Sequence, residues 1–389
     1  MLMPFIALPY IIKTVGTDNY GKIVFAQALA SYFFIFVNFG LDLLAVKKVS
    51  QNRNNIKVLR LVCGTVILIK MCLCIAGLVI FSGLLFSMPR LHNDLLLYYC
   101  AYTVCLADVV FIPWLFQGLE KMHIITIIRA SSVLLYVILL WCFIRHDYQY
   151  PLIPLLQSGC LLLTAVAGLF YAAWKEKIKP VFPYFRFAKK FVKESFPFFL
   201  SRSSVIFNNT IATIVIGATI GTQQVAIYDI AQRIARAALI PVSMVTQAVY
   251  PHNAKYRNKK FALQIFLILI ILSLIGLGIL YWLAPFLVDF LSSGKLLEAI
   301  PLLRFFEIYI FLGVLTAYLG TPLLIAWGYF KPFNNSVFAS TAILVILYWL
   351  FGVYDIKSIY LFAGALTVSE LVIMLYRGYY CQKYNLLKY

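Results

Sequence analysis

Acidic residues are what this sequence most conspicuously lacks: 14 Asp and Glu stand against 33 Lys and Arg, and only 12% of its 389 residues are charged. A 63% hydrophobic content and a mean hydropathy of +0.91 exclude an ordinary soluble domain. Metal chemistry has no foothold either. The cysteines (Cys63, Cys72, Cys74, Cys100, Cys105, Cys142, Cys160, Cys381) fall mostly within apolar runs without a Cys-x-x-Cys pair, and His92, His123, His146 and His252 sit at the ends of those runs. Neither a Gly-x-x-x-x-Gly-Lys-Ser/Thr loop nor a His-Glu-x-x-His pair is present, and no paired carboxylates suggest hydrolysis. No cofactor and no enzymatic activity are expected. The N-terminus lacks a basic segment ahead of a small-residue cleavage site, so the first spans themselves are expected to direct insertion.

What is there is a succession of apolar stretches. About twenty residues cross a bilayer core, and windows of that size predict spans at 1–12, 21–45, 58–86, 94–117, 123–144 and 151–173. A second set follows at 196–220, 224–250, 261–288, 299–327, 334–353 and 357–379. The expected architecture is therefore an all-α integral membrane protein of about twelve transmembrane helices in two six-helix bundles: 1–173, a basic cytoplasmic linker 174–195, and 196–389 with a short tail. The first span is expected to be incomplete, because Lys13 already ends it.

The net charge of +19 gains its meaning from position. Loops 47–60, 118–122, 174–195, 251–260 and 328–333 and the tail after 376 hold most of the Lys and Arg, while the alternate loops hold only Lys13, Lys22, Arg90, Arg145, Lys295 and Lys357. Every second loop is basic, which places those loops in the cytoplasm. The charge is a topology signal and no nucleic-acid partner is expected. The opposite loops are too short to hold an extracytoplasmic domain.

One predicted span departs from the rest. Between Val215 and Pro251 the chain places Asp229, Arg233 and Arg236 at i, i+4 and i+7, one face of a helix whose other faces are apolar. A charge at the bilayer centre costs roughly 2.5–3.5 kcal/mol on insertion scales, so this face should look into a protected or watered cavity, or clamp two helices by an ion pair. The same stretch has an earlier copy: Val15-Gly16-Thr17 with Ala26-Gln27 and Ala30 lines up at constant offset with Ile220-Gly221-Thr222, Ala231-Gln232 and Ala235. Duplicated halves are a common transporter plan.

Other charges also lie within spans. Lys70, Arg129, Arg202, Arg233, Arg236 and Arg304 are the intramembrane cations, and Asp42, Asp108, Asp229, Glu307 and Glu370 the acids. Arg304 with Glu307, and Asp229 with Arg233, have the spacing of local pairs. Polar stripes accompany them: Gln27, Ser31, Asn38 and Asp42 on the second span, and Arg202, Asn209 and Thr213 on the seventh. Such stripes either glue helices or line a cavity. Arginine's planar fork of donors suits phosphate oxygens, so an anionic head group fits this lining better than a cation.

Asp108-Val-Val-Phe-Ile-Pro113-Trp114-Leu-Phe-Gln117-Gly118-Leu-Glu120-Lys121-Met122 resembles the signature of the Wzx-type bacterial polysaccharide flippases. Pro9-Tyr10, Tyr20-Gly21, Phe39-Gly40, Ile69-Lys70, Pro197 to Arg202, Tyr228 to Ala231 and Tyr250-Pro251 extend the resemblance along most of the chain. It implies a MATE-like fold with two bundles around a central cavity. It also implies transport of an undecaprenyl-pyrophosphate-linked oligosaccharide (O-antigen or similar) across the bacterial inner membrane by alternating access. On that resemblance Lys70, Arg129, Arg202, Arg233, Arg236 and Arg304, with Asn38 and Asn209, would contact substrate. Asp42, Asp108, Asp229 or Glu307 would carry a coupling proton. A polysaccharide polymerase and a chain-length regulator are the implied protein partners. Three alternatives stand beside this reading. A cation or drug antiporter of the same fold would want an acidic lumen, a polymerase or ligase would want a large periplasmic loop, and a membrane scaffold would not need buried arginines on several helices.

Overall fold

In lipid, an apolar run can satisfy its backbone polar groups only as a helix or in a closed barrel. Every regular element in the computed structural model, which describes residues 3–386 (backbone only for residues 3–6, Arg90 and Ser201), is helical. Among the described residues nine helices are long and apolar enough to cross a membrane, and ten if the bent helix Phe185–Thr219 counts as one. The predicted first span begins at residue 1 and Lys388 lies in the tail, so both calls fall partly outside the described residues.

The chain forms two compact units, Met1–Ile206 and Phe207–Tyr389. The first contains α1 (Met3–Val15), α2 (Thr17–Asn38), α3 (Leu41–Gln51), α4 (Ile56–Ser87), α5 (Leu95–Val110), α6 (Pro113–Gly118), α7 (Met122–Phe143) and α8 (Leu152–Trp174). Helix α9 (Phe185–Thr219) begins within the basic connection 174–195 and runs on into the second unit. That unit continues with α10 (Thr222–Ala238), α11 (Ile240–Tyr256), α12 (Lys259–Ser292), α13 (Ala299–Tyr318), a π-helical turn Leu319–Ile325, α14 (Phe330–Val353) and α15 (Ile359–Lys383).

The order of elements repeats. A helix pair parted by a break (α2–α3, then α10–α11) precedes one long helix (α4, then α12), a second broken segment (α5–α6, then α13 with its π turn) and two further helices. The glycines that the aligned copies share open corresponding helices: Gly16 precedes α2 with φ +84°, and Gly221 precedes α10 with φ +136°. No other atom crowds the Cβ position of either, so backbone conformation alone calls for glycine there.

The predicted span 224–250 is corrected by this arrangement. It is two 17-residue helices, each short of a crossing, parted at Leu239 with Pro241 in the first turn of α11. Proline is tolerated there because that N–H has no intrahelical acceptor. Helix α1, at 13 residues, is likewise too short to cross.

Contacts within the first unit agree with the charge alternation. Arg60 donates to the Lys177 carbonyl (2.9 Å), Lys121 pairs with Glu176 (2.5 Å), Lys48 with Glu194 (2.9 Å) and Arg53 with Glu120 (2.7 Å). The basic stretches 47–60, 118–122 and 174–195 therefore share one end. The core below them joins α3, α4 and α6 around Trp114, Phe116, Leu41 and Leu59.

Candidate functional site

The site in the first unit is built from two helix breaks. Helix α2 stops at Asn38 because Phe39 (φ +45°) and Gly40 (φ +67°) are both left-handed, and α3 then starts with Asp42 in its first turn. A Cβ on Gly40 would stand 2.6 Å from the Phe199 backbone nitrogen, so a close approach adds to the conformational demand for glycine. A carboxylate in a first turn complements the helix dipole. Helix α5 stops at Val110 ahead of Pro113, which leaves the Asp108 carbonyl in a last turn without its usual partner.

Lys70, on α4, fills the space between these breaks. Its side chain is 0% exposed, and its ammonium lies 2.8 Å from Asp42 Oδ1 and 2.8 Å from Asp108 Oδ2. It also donates to the stranded Asp108 carbonyl at 3.3 Å. Asn38 Nδ2 donates to Asp42 Oδ2 (2.8 Å) and to Asp108 Oδ2 (3.3 Å), closing the cluster. An ammonium in this setting is held by charge on both sides; removing a partner from a buried pair leaves an uncompensated charge.

The carboxylates and Asn38 also face a cavity of about 600 Å³. Its walls include Phe34, Phe111, Trp114 and Gln117, and two cations, Arg129 and Arg202. Both arginines are exposed, and among the described residues neither has an ion-pair partner; Arg129 rests 5.2 Å from the centre of the Phe111 ring. The cavity thus brings together six residues singled out from sequence: Asn38, Asp42, Asp108, Arg129 and Arg202 on its wall, and Lys70 behind it.

The Pro113 to Met122 motif gains physical roles here. Pro113 starts α6, Trp114 anchors the core, Gln117 reaches the cavity, and Gly118 lets α6 lie against Val49, whose Cβ would be 2.6 Å from a Cβ at 118. Arg53 ties the motif's end down, donating to the Gly118 carbonyl (2.8 Å) and pairing with Glu120. The hydrogen bond and charge from Arg53 hold the Glu120 carboxyl below its ordinary range.

The second unit distributes its charges differently. Arg233 bonds Asp229 at 2.5 Å, the local pair that the spacing allowed, while Arg236 donates to the Asn209 carbonyl at 2.7 Å. Arg304 and Glu307 do not form the local pair that their spacing suggests: the guanidinium lies 4.2 Å from the centre of the Tyr281 ring, and no ion pair joins the two among the described residues. A ring face is a competing partner for a guanidinium.

Sequence reasoning placed Arg377 in the tail, and the structure buries it. It is 6% exposed within α15, donating to Ser336 Oγ (3.0 Å) and to the Thr316 carbonyl (2.7 Å), with its guanidinium 4.3 Å from the centre of the Phe333 ring. Glu370 accepts from Thr316 Oγ1 beside it. The signal was present: Glu370 and Arg377 are seven apart, on one face of a helix.

Residues 1–257 match the family of polysaccharide biosynthesis proteins. A protein of Escherichia coli (strain K12) provisionally named as an O-antigen transporter is 23% identical over 352 residues, covering 89% of this chain and 85% of that protein. One from Shigella dysenteriae with the same name is 25% identical over 322 residues, 78% of each. Among solved structures, an inward-facing multidrug resistance MATE family transporter of the MOP superfamily aligns with a TM-score of 0.69 at 15% identity over 99% of both chains. A MOP superfamily transporter from Pyrococcus furiosus, described as having a binding pocket of reverse polarity that suggests a different function, aligns at 0.57 with 16% identity, covering 100% of this chain and 92% of that one. Those structural likenesses concern the fold, which is all-helical and MATE-like. With two thirds of its length matched by that family, this multi-pass membrane chain belongs to the polysaccharide biosynthesis proteins.

Proposed function

We propose that this protein moves a lipid-linked oligosaccharide, the repeat unit of a surface polysaccharide such as O-antigen, across the bacterial inner membrane, and that the cavity of the first unit binds the diphosphate-bearing head group. One observation carries the reading: Arg129 and Arg202, neither in an ion pair among the described residues, stand on the wall of a 600 Å³ cavity whose two carboxylates are already engaged by Lys70 and Asn38. With all five groups ionised, two arginines and one lysine outweigh two aspartates. The volume falls in the range of small-ligand pockets, about 300–1,000 Å³. A guanidinium fork bonds phosphate oxygens in pairs, and it does so more strongly where water is scarce.

The family match and the names of the relatives support transport over catalysis. On this reading the polyprenyl tail stays in lipid while the head group crosses by alternating access. Arg233, Arg236, Asn209 and Arg304 are the second unit's own candidate contacts with substrate, and Asp42, Asp108, Asp229 or Glu307 carries any coupling proton. The partner is the lipid-linked oligosaccharide itself, with a polymerase and a chain-length regulator acting on what is delivered.

Purified protein in liposomes, given a fluorescent polyprenyl-diphosphate oligosaccharide, should expose it to the opposite leaflet; no transfer above empty liposomes would overturn the proposal. A second reading, a cation or drug antiporter, draws on the two cavity-facing aspartates and on the fold shared with multidrug transporters. Uptake of a lipophilic cation driven by a proton gradient, without transfer of the lipid-linked sugar, would favour it.

A further inference from the structure

Beside the charged cavity the first unit holds a second one, of about 310 Å³, with no ionisable side chain on its wall. Gln27 and Ser31 of α2, Phe34 one turn on, and Gln157 and Ser158 of α8 supply its character. Phe34, Val104 and Leu161 belong to both walls, so the two cavities adjoin. Along α2, Gln27 and Asn38 are separated by about 16 Å at 1.5 Å per residue. The charged cavity lies toward the end where the basic stretches 47–60 and 118–122 meet, and the uncharged one lies deeper along the same helix.

The two glutamines make the second cavity specific. Gln27 Nε2 donates to Gln157 Oε1 at 2.9 Å, which leaves Gln27 Oε1 and Gln157 Nε2 without a protein partner among the described residues. If both amides were turned over, one acceptor and one donor would still be left side by side. An adjacent donor and acceptor match a sugar hydroxyl, which gives one hydrogen bond and takes another. Ser31 spends its proton on the Ala28 carbonyl (2.6 Å), so its oxygen remains an acceptor, whereas Ser158 is already engaged by the Pro154 carbonyl (2.8 Å) and the Thr103 hydroxyl. Phe34 offers an apolar ring face for the C–H side of a pyranose. A hydrocarbon tail here would bury the free amide groups unpartnered. A carboxylated sugar would find no cation on this wall.

We infer that the cavity lined by Gln27, Ser31, Phe34, Gln157 and Ser158 is a subsite for an uncharged, hydroxyl-bearing sugar of the head group, placed beyond the phosphate-binding cavity. The inference rests on the transport reading above and adds the substrate class: the sugars nearest the lipid should be neutral.

The test compares two probes on purified protein in nanodiscs: a polyprenyl diphosphate carrying a neutral disaccharide, and the same polyprenyl diphosphate without sugar. Wild type should bind the glycosylated lipid about tenfold more tightly than the bare one. Gln27→Ala with Gln157→Ala should remove that advantage and leave bare-lipid binding unchanged, which also shows that the variant is folded. Arg202→Ala should weaken both probes alike. Equal wild-type affinity for the two probes, or a double variant that keeps the tenfold advantage, would overturn the subsite while leaving the transport reading in place. Failure of wild type to bind either probe would overturn both.

Discussion

Among the described residues each unit buries one cation, and the two are satisfied by opposite means. In the first, Lys70 is an ammonium between two carboxylates, and its one neutral acceptor among the described residues is a backbone carbonyl. In the second, Arg377 is a guanidinium met by a serine oxygen, a threonine carbonyl and a phenylalanine ring, with Glu370 one side chain removed. A compact, strongly hydrated ammonium needs charge to replace its water, whereas a planar guanidinium can be shared among neutral acceptors and a ring. The difference has a consequence for the neighbouring space. The acids recruited for Lys70 also face a cavity, and because the lysine offsets one of their two charges from behind, Arg129 and Arg202 tip the balance there to positive.

Breaking the Lys70 cluster should have the largest effect. Lys70→Ala strands the buried Asp108 and the half-buried Asp42, and loss of one partner from a buried pair costs about 3–5 kcal/mol, to be read as loss of folded, detergent-stable protein. Adding Asp42→Asn and Asp108→Asn should restore much of the stability, since no uncompensated charge would remain. Arg377→Ala should cost less, about 1.5–3 kcal/mol, in line with hydrogen bonds to a charged group; a melting temperature below that of Lys70→Ala would invert the comparison. Gly16→Ala and Gly221→Ala sharpen the internal duplication. Each forces a side chain into a mirror-extended backbone, and each should destabilise by about 1–3 kcal/mol, equally if the two turns are equivalent.

The smallest effect should come from the exposed pair Arg53–Glu120. Because Arg53 lowers the Glu120 carboxyl, its contribution is present above the ordinary glutamate pKa and is lost as pH falls through the folded value. Glu120→Gln should therefore leave melting nearly unchanged at pH 7 and slightly flatten its decline in acid, as followed by thermal melts across pH.

Much of this was legible in the chain, and the parts that were not share a cause. A carboxylate within an apolar run demands a partner, so Asp42 and Asp108 stood out at once. That Lys70 answers both depends on three helices meeting, with Asp108 38 residues away along the chain. The Pro113 to Met122 motif announced a break and a close approach, which Gly118 and Val49 supply. Local spacing misled at Arg304, where the Tyr281 ring displaces Glu307, and at Arg377, whose place near the C-terminal end disguised a buried residue as a tail cation. The break at Leu239 lay inside a run that reads as one span, because apolar periodicity continues across it. A cavity wall is a property of several helices at once, and no single stripe on α2 distinguishes packing from lining.

The account turns on Arg202 facing open space beside acids that Lys70 and Asn38 already engage. The most direct measurement is leaflet-to-leaflet transfer of a fluorescent polyprenyl-diphosphate oligosaccharide in liposomes holding equal amounts of folded wild type, Arg202→Lys and Arg202→Ala. The account predicts transfer reduced at least tenfold in Arg202→Ala, partly retained in Arg202→Lys, with melting temperatures unchanged; transfer by Arg202→Ala at the wild-type rate would contradict it.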